Sequence, residues 1–264
     1  MRAGSAPECP ELALVLVEPA GPLNVGSVAR LCANFALHDL RLVAPRCDHL
    51  GEEARRMAVH AGALLEGARV YPDLASAIAD RTRVVAANGR VDSQAVPIEG
   101  PAQAIPWLLG HPSPSRPEPA RRDSAGALVF GREDRGLSTD ELLQAGRILR
   151  IGTDACYPSL NLSHAVAITL HELRRCQQGD SERRPGGPAQ SIGPEPAARE
   201  LLEAALADAE ELLLEVGFVL PHTAHARMAK LRALLQRAQI SAEEVALVRG
   251  MVRQLRWASQ RGTP

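Results

Sequence analysis

The chain has 264 residues, of which 45% are hydrophobic and 23% are charged, and its formal net charge is −1. The apolar fraction argues against an intrinsically disordered protein, and the near-neutral charge excludes the overall basic surface of a non-specific nucleic-acid binder. No apolar run reaches the ~18 residues of a membrane helix, and the five cysteines form no CxxC pair, so we expect a cytoplasmic protein without a membrane partner.

The first two thirds of the chain alternate between short apolar runs, which are typical of buried strands, and segments with the apolar spacing of helices. In chain order the predicted elements are strand 12–18, helix 24–35, strand 39–43, helices 52–59 and 61–66, strand 69–71, helix 73–79, strand 82–87, helix 102–109, strand 127–130, helix 138–146, strand 148–151 and helix 161–177. Asn24 is expected to be the N-cap of the first helix, and Ser138 and Glu141 form a capping-box pattern. This alternation predicts an α/β domain with a mostly parallel sheet.

Two stretches interrupt the pattern. Residues 111–123 are rich in Pro, Ser and Arg and are interpreted as a surface insertion, and residues 178–196 are rich in Pro and Gly and are interpreted as a linker. Beyond the linker the spacing predicts about three helices, the last of which starts at Ser241 with a second capping box to Glu244. We therefore predict an α/β domain over 1–177, a linker over 178–196 and a small all-helical domain over 197–264.

Several common site motifs are missing. No GxGxxG follows the first strand, and Leu137 stands where the lysine of a P-loop belongs. His222 and His225 form only a lone HxxH pair, which is interpreted as a solvated helix start. We therefore expect no metal site.

Three loops at the predicted carboxyl edge of the sheet, where open α/β folds bind ligands, carry the polar candidates. The first contains Asn24, Gly26 and Arg30, the second runs from Phe130 to Leu137, and the third runs from Tyr157 to Leu162. Each loop by itself also fits an ordinary interpretation: a capped surface helix, an exposed turn, or a helix N-cap at Asn161.

Taken in this order, the three loops resemble the SPOUT superfamily of S-adenosylmethionine-dependent RNA methyltransferases, specifically its TrmH/TrmJ-like 2′-O-ribose group. The matching positions are Asn24, Gly26 and Arg30; Phe130, Gly131, Glu133, Gly136 and Leu137; and Ser159, Leu160, Asn161 and Ala165. The tail resembles the TrmJ branch through Gly217-Phe218, the run from Arg227 to Arg232, Arg237-Ala238 and Arg249-Gly250.

The resemblance implies a trefoil-knotted parallel-sheet α/β fold, a homodimer and S-adenosyl-L-methionine as cofactor. It implies methylation of a ribose 2′-hydroxyl in RNA, with tRNA favoured as the substrate and a cytidine or uridine at nucleotide 32 of the anticodon loop as the target. Basic side chains of the tail are expected to contact that RNA, although a purely solvated role stays open. They are Arg227, Lys230, Arg232, Arg237, Arg249, Arg253 and Arg256.

The resemblance also implies the roles of individual residues. Because a guanidinium stays protonated in proteins, we expect Arg30 to act as an electrostatic clamp on the target ribose-phosphate, with a phosphate oxygen or water receiving the proton. The side chains expected to hold Arg30 and the ribose are Asn24, Glu133, Ser159 and Asn161. The residues expected to contact the cofactor are Ala87, Asn88, Gly89, Gly131, Ile151, Pro158, Ser159 and Leu160.

Two departures from the family pattern leave alternatives open. Phe35-Ala36-Leu37 replaces a Phe/Met-Gly-Leu run, and Ala87-Asn88-Gly89-Arg90 replaces a Thr-Ser-Ala-Arg-like loop that lines the cofactor site. The second departure is compatible with a knotted RNA-binding protein that has little or no turnover. Two further alternatives are a ribosomal RNA 2′-O-methyltransferase and a knot methyltransferase that acts on a base.

Overall fold

The computed structural model describes residues 12–89, 96–110, 125–154, 156–178 and 195–261. Within these ranges seven strands form one parallel sheet. The strands are β1 (Leu12–Val17), β2 (Asp39–Val43), β3 (Arg69–Tyr71), β4 (Arg83–Ala87), β5 (Ile98–Glu99), β6 (Gly126–Phe130) and β7 (Arg147–Leu149). Their order is β3-β2-β1-β6-β4-β7-β5. All of them except β5 were predicted; β5 is too short to leave a hydrophobic pattern.

The central strand β1 explains why an unbroken apolar run predicts this sheet. All six of its residues are buried. Leu12, Leu14 and Leu16 pack into one hydrophobic core, whereas Ala13, Val15 and Val17 pack into the core on the opposite face. A strand that is covered on both faces needs apolar side chains at every position.

The helices of the α/β domain cover those two faces. They are α1 (Pro22–Asn34), α2 (Glu52–Ala58), α3 (Gly62–Glu66), α4 (Leu74–Ile78), α5 (Pro101–Leu108), α6 (Thr139–Leu142) and α7 (Leu162–Gln178). The capping box of Ser138 and Glu141 at the start of α6 is confirmed. However, α6 ends earlier than predicted, because the chain turns into β7 and the Gly146 N–H donates to Val84 O at 2.8 Å.

The expected N-cap role of Asn24 is wrong. The helix α1 already begins at Pro22, with Gly21 at the N-cap, since proline suits the first turn of a helix, where its missing N–H is not needed. Asn24 therefore lies inside the first turn and its side chain is free to bond elsewhere. After the same helix, Ala36 occupies the left-handed region at φ 57°, a conformation that favours the glycine of the family pattern.

The C-terminal part is a helical domain formed by α8 (Arg199–Glu215), α9 (Ala224–Ala238) and α10 (Ala242–Arg261). Its core includes Leu202, Leu206, Met228 and Val245, and the predicted capping box at Ser241 is confirmed. It docks on the α/β domain through the start of α8, whose first two N–H groups donate to Arg81 O at 3.3 Å and to Ala79 O at 3.2 Å.

The fold class predicted from the sequence, a parallel α/β domain followed by a helical one, is therefore confirmed. The predicted insertion over 111–123, and the linker from residue 179 to residue 194, lie outside the described residues. The trefoil knot and the domain boundaries stay predictions. None of the helices in the described ranges is long and apolar enough to cross a membrane.

Candidate active site

The loops that follow β4, β6 and β7 line one open pocket at the carboxyl edge of the sheet. Its empty volume is about 780 Å³, including its solvent-filled mouth. Every residue predicted from the sequence to contact the cofactor lines it: Ala87, Asn88, Gly89, Gly131, Ile151, Pro158, Ser159 and Leu160. The sheet topology thus brings together three separate segments of the chain, 87–89, 130–136 and 149–165.

Glycines allow the backbone to form the wall of this pocket. A Cβ atom at Gly131 would lie 2.3 Å from the carbonyl carbon of Gly136, so no larger residue fits there. Gly136 has φ 68°, which suits glycine. Main-chain hydrogen bonds join Arg132 and Gly136 in both directions, at 3.2 and 3.0 Å. The loop after β6 is therefore a tight turn whose polar main chain borders the pocket.

Three of the predicted side chains form a continuous chain of hydrogen bonds. The Asn24 Nδ2 group donates to Glu133 Oε1 at 3.1 Å, and Asn24 Oδ1 accepts from Asn161 Nδ2, also at 3.1 Å. Asn161 Oδ1 in turn accepts from the N–H of Ser163 at 3.0 Å, which confirms Asn161 as the cap of α7. One amide of α1 thus links the loop after β6 to the start of α7.

Glu133 also binds the main chain at the start of α1. Its two carboxylate oxygens accept from the N–H groups of Ala20 at 3.1 Å and Gly21 at 3.0 Å. Burial alone would raise the pKa of Glu133, but these hydrogen bonds and the one from Asn24 outweigh it, so the pKa lies below its ordinary value. Glu133 is therefore an anion that closes the N-terminus of α1 and is suited to structural hydrogen bonding rather than to accepting a proton.

Arg30 lies apart from this network. It is exposed on α1, does not line the pocket, and makes no hydrogen bond or ion pair with any other described residue. The expectation that Asn24, Glu133 and Asn161 hold Arg30 is therefore not met in the structure, because these three side chains bond to one another instead. Ser159 lines the pocket.

The sequence reasoning missed a second set of polar residues beside the same loop. The guanidinium of Arg132 contacts the carboxylates of Glu18 and Glu141. The sequence predicted Glu141 only as a capping residue and predicted no bonding role for Glu18. The signal was a charged residue within two positions of the end of each of the strands β1 and β6, which are adjacent in the sheet. In the described part of the chain, no group of three His, Cys, Asp or Glu side chains could hold a metal ion.

Comparisons with known proteins identify the family. A model of the SpoU rRNA methylase family matches residues 11–171. The chain belongs to the SpoU rRNA methylase family. A second model, of the C-terminal domain of the tRNA methyltransferase TrmJ, matches residues 200–263 of this SpoU methylase.

Relatives and a solved structure match nearly the whole SpoU methylase chain. It is 30% identical over 243 residues to a tRNA (cytidine/uridine-2′-O-)-methyltransferase TrmJ from Cronobacter sakazakii, which covers 90% of this chain and 93% of that protein. It is also 30% identical to a tRNA (cytidine/uridine/adenosine-2′-O-)-methyltransferase TrmJ from Pseudomonas aeruginosa, with 90% and 91% covered. The crystal structure of TrmJ from Z. mobilis ZM4 superposes with a TM-score of 0.77 at 31% identity and covers 94% of this chain and 99% of that one.

Proposed function

We propose that this methylase transfers a methyl group from S-adenosyl-L-methionine to a ribose 2′-hydroxyl of tRNA. The observation that carries the proposal is the backbone-walled pocket beside the Glu133–Asn24–Asn161 network. Relatives that span nine tenths of the chain are named as tRNA 2′-O-methyltransferases, which favours tRNA over ribosomal RNA. Such an enzyme would act in the cytoplasm, and a cytidine or uridine at nucleotide 32 is the target we propose.

The pocket fits S-adenosylmethionine, whose sulfonium supplies an activated methyl group. Gly89, Gly131 and Gly136 line the pocket, and their main chain can approach an adenosine closely because glycine has no side chain. Leu149, Ile151, Leu160, Leu162 and Ala165 add an apolar lining, and pockets that combine apolar walls with a few convergent polar groups are typical ligand sites. Asn88, which stands where the family pattern has a hydroxyl residue, would add a polar side chain to the part of the wall that the loop after β4 forms.

The chain's own residues would orient the ribose and manage its proton. Arg30, exposed and unpaired within the described residues, would bind the phosphate or ribose of the target nucleotide and favour ionisation of the 2′-hydroxyl by its charge. Asn24, Glu133 and Asn161 would hold α1, which carries Arg30, in a constant position relative to the pocket. A phosphate oxygen or water would accept the proton, since no neutral base is at hand in the network.

The helical domain, residues 197–264, would bind the tRNA, while residues 1–177 would hold the methyltransferase site. Three of the predicted RNA-binding side chains are engaged in ion pairs within the domain: Arg232 with Glu203, Arg249 with Asp208, and Arg256 with Glu211. We therefore propose that the exposed Lys230 and Arg253 contribute more to phosphate binding than these three do. Charge reversal at both positions should weaken tRNA binding and leave cofactor affinity unchanged.

We also propose a homodimer formed through the α/β domain. Leu23 on α1, Leu160 before α7 and Ile168 on α7 are 43%, 38% and 39% exposed, and α1 packs beside α7. Large apolar side chains on neighbouring elements favour a protein contact. Analytical sedimentation at micromolar concentration should give the mass of two chains, and Ile168→Glu should shift it to one chain.

The test of the activity is methylation in vitro. The purified chain is incubated with tRNA and S-adenosylmethionine carrying a labelled methyl group, with and without EDTA, and the RNA is digested to nucleosides for mass spectrometry. We expect a 2′-O-methylnucleoside in both samples. A methyl group on a base would contradict the proposed reaction, and cofactor binding without transfer would favour the RNA-binding alternative.

A further inference from the structure

Arg132 is the most heavily bonded side chain of the loop that borders the pocket. Its side chain is only 11% exposed. The guanidinium donates to both oxygens of Glu141 at 2.9 and 3.0 Å, to Oε1 of Glu18, and to the main-chain oxygen of Gly136 at 3.4 Å. One cation therefore ties its own loop to the end of β1 on one side and to α6 on the other.

The backbone at Glu18 supports a specific role for that carboxylate. Glu18 has φ 45°, a conformation that L side chains rarely adopt, and such positions persist only where the surrounding structure enforces them. Its carboxylate contacts three arginines: Arg132, Arg46 and, at 3.7 Å, Arg135. The hydrogen bond from Arg132 is the main reason that the pKa of Glu18 lies below its ordinary value.

Arg132 and Glu133 are consecutive and bind different partners. Glu133 binds the start of α1 and Asn24, whereas Arg132 binds Glu18 and α6. The loop between Gly131 and Gly136 is thus held from both sides by charged hydrogen bonds, which are the stronger kind. This arrangement leaves its main chain little freedom where it borders the pocket.

We propose that Arg132 is a positioning residue: through Glu18 and Glu141 it fixes the loop whose main chain forms the wall of the cofactor pocket. The inference rests on the proposed function, since it assigns Arg132 to the site that would hold S-adenosylmethionine. A lysine cannot replace it, because a single ammonium does not reproduce the planar fork that engages two carboxylates and a carbonyl at once.

The test compares Arg132→Lys and Glu141→Gln with a matched control, Arg41→Lys. Glutamine keeps the capping-box hydrogen bond of α6 but removes the charge that pairs with Arg132. Arg41 is also a buried arginine between two carboxylates, Asp39 and Asp80, and none of the three lines the pocket. Arg41→Lys therefore reproduces the structural damage without touching the loop.

Three readouts are taken from each full-length variant: the Kd for S-adenosylmethionine by calorimetry, hydrogen exchange of the loop amides without cofactor, and kcat/KM for tRNA methylation. We expect both loop variants to weaken binding at least tenfold and to lower kcat/KM by about a hundredfold, as misplacement of a binding group does. Their loop amides should exchange faster than in the wild type. Arg41→Lys should bind within about twofold of the wild type, because distant sites act independently.

The outcomes separate the inference from the activity on which it rests. Wild-type affinity in both loop variants, or unchanged exchange of their loop amides, overturns the positioning role. Weak binding in Arg132→Lys with normal binding in Glu141→Gln also overturns it, because Arg132 would then contact the cofactor directly. A wild-type chain that binds no S-adenosylmethionine overturns the proposed function, while the exchange data still decide whether Arg132 holds the loop.

Discussion

Arginines in similar surroundings have different roles at the two ends of the strands, which we call the amino edge, where the parallel strands begin, and the carboxyl edge, where they end. At the amino edge, Arg41 is 1% exposed and binds Asp39, Asp80 and the carbonyl of Ala77. At the carboxyl edge, Arg132 binds Glu18, Glu141 and the carbonyl of Gly136. The partners of Arg41 lie away from the pocket, whereas Arg132 and Gly136 belong to the loop that lines it.

The difference follows from the direction of the strands. In a parallel sheet the loops at the carboxyl edge leave main-chain groups open to a ligand, so an ion pair there controls the shape of a binding site. At the amino edge the same kind of ion pair joins neighbouring elements of the fold and borders no binding site. We therefore expect changes at Arg41 to alter stability and changes near Arg132 to alter function.

The largest expected effect on stability is at the amino edge. Arg41→Ala leaves Asp39 and Asp80 without their buried partner, which should lower the free energy of unfolding by about 3 kcal/mol. Urea unfolding measures it, and Arg56→Ala on the exposed surface of α2 is the control. Two results would contradict the distinction between the two edges. One is a decrease in the free energy of unfolding of less than about 1 kcal/mol. The other is a loss of cofactor affinity of similar free energy in the folded variant.

The next effect concerns Arg30 on the side of the proposed active site. Arg30→Ala should slow single-turnover methylation of tRNA about 10²–10³-fold at saturating cofactor, because it removes a charged stabiliser of the transition state. Its stability should stay within a few tenths of a kcal/mol of the wild type. Arg30→Lys should rescue little, and Arg56→Ala should methylate normally. A rate within about threefold of the wild type would remove Arg30 from the site.

A smaller effect is the acid sensitivity of the amino edge. Burial raises the pKa of Asp39, but hydrogen bonds from Arg41 and Arg69 outweigh it, so the folded pKa is lowered. The stability from these bonds is therefore complete above the ordinary aspartate value of about 3.9 and is lost as pH falls through the lowered folded value.

Asp39→Asn should consequently destabilise the protein by about 1–2 kcal/mol at pH 7, and its difference from the wild type should shrink below about pH 3. Urea unfolding at a series of pH values checks this, with Glu53→Gln on exposed α2 as the control. A difference that stays constant down to the acid transition would contradict the assignment of the stability to these ion pairs.

The smallest expected effect is the stability gained by relieving backbone strain, which differs between the two edges. Ala36, at the end of α1, and Glu18, after β1, both have positive φ, but only Glu18 uses its side chain to bind arginines. Ala36→Gly should therefore stabilise the protein by about 0.5–1 kcal/mol without changing cofactor affinity. Thermal unfolding measures the gain, and Ala33→Gly inside the helix should instead destabilise by a similar amount. A lower melting temperature for Ala36→Gly would show that Ala36 is not strained.

Much of the fold could be predicted because its signals are local. The apolar run of β1 and the capping boxes at Ser138 and Ser241 each depend on residues that are close in the chain. The ordered motifs likewise pointed to the pocket residues, since the family resemblance carries information that a single loop does not. The short strand β5 and the start of α1 at Pro22 were not predicted, because two residues have no periodicity and Asn24 is of a residue type that is favoured at N-caps.

The sequence by itself determined the alternation of strands and helices, the family and eight of the residues that line the pocket. Only the tertiary structure decided that Asn24 bonds to Glu133, 109 residues away, and to Asn161, 137 residues away, and that Arg132 reaches Glu18 across 114 residues. The physical reason is that these contacts depend on the order of the strands. The strand order places β1 beside β6, and only then do the charged residues that follow the two strands meet.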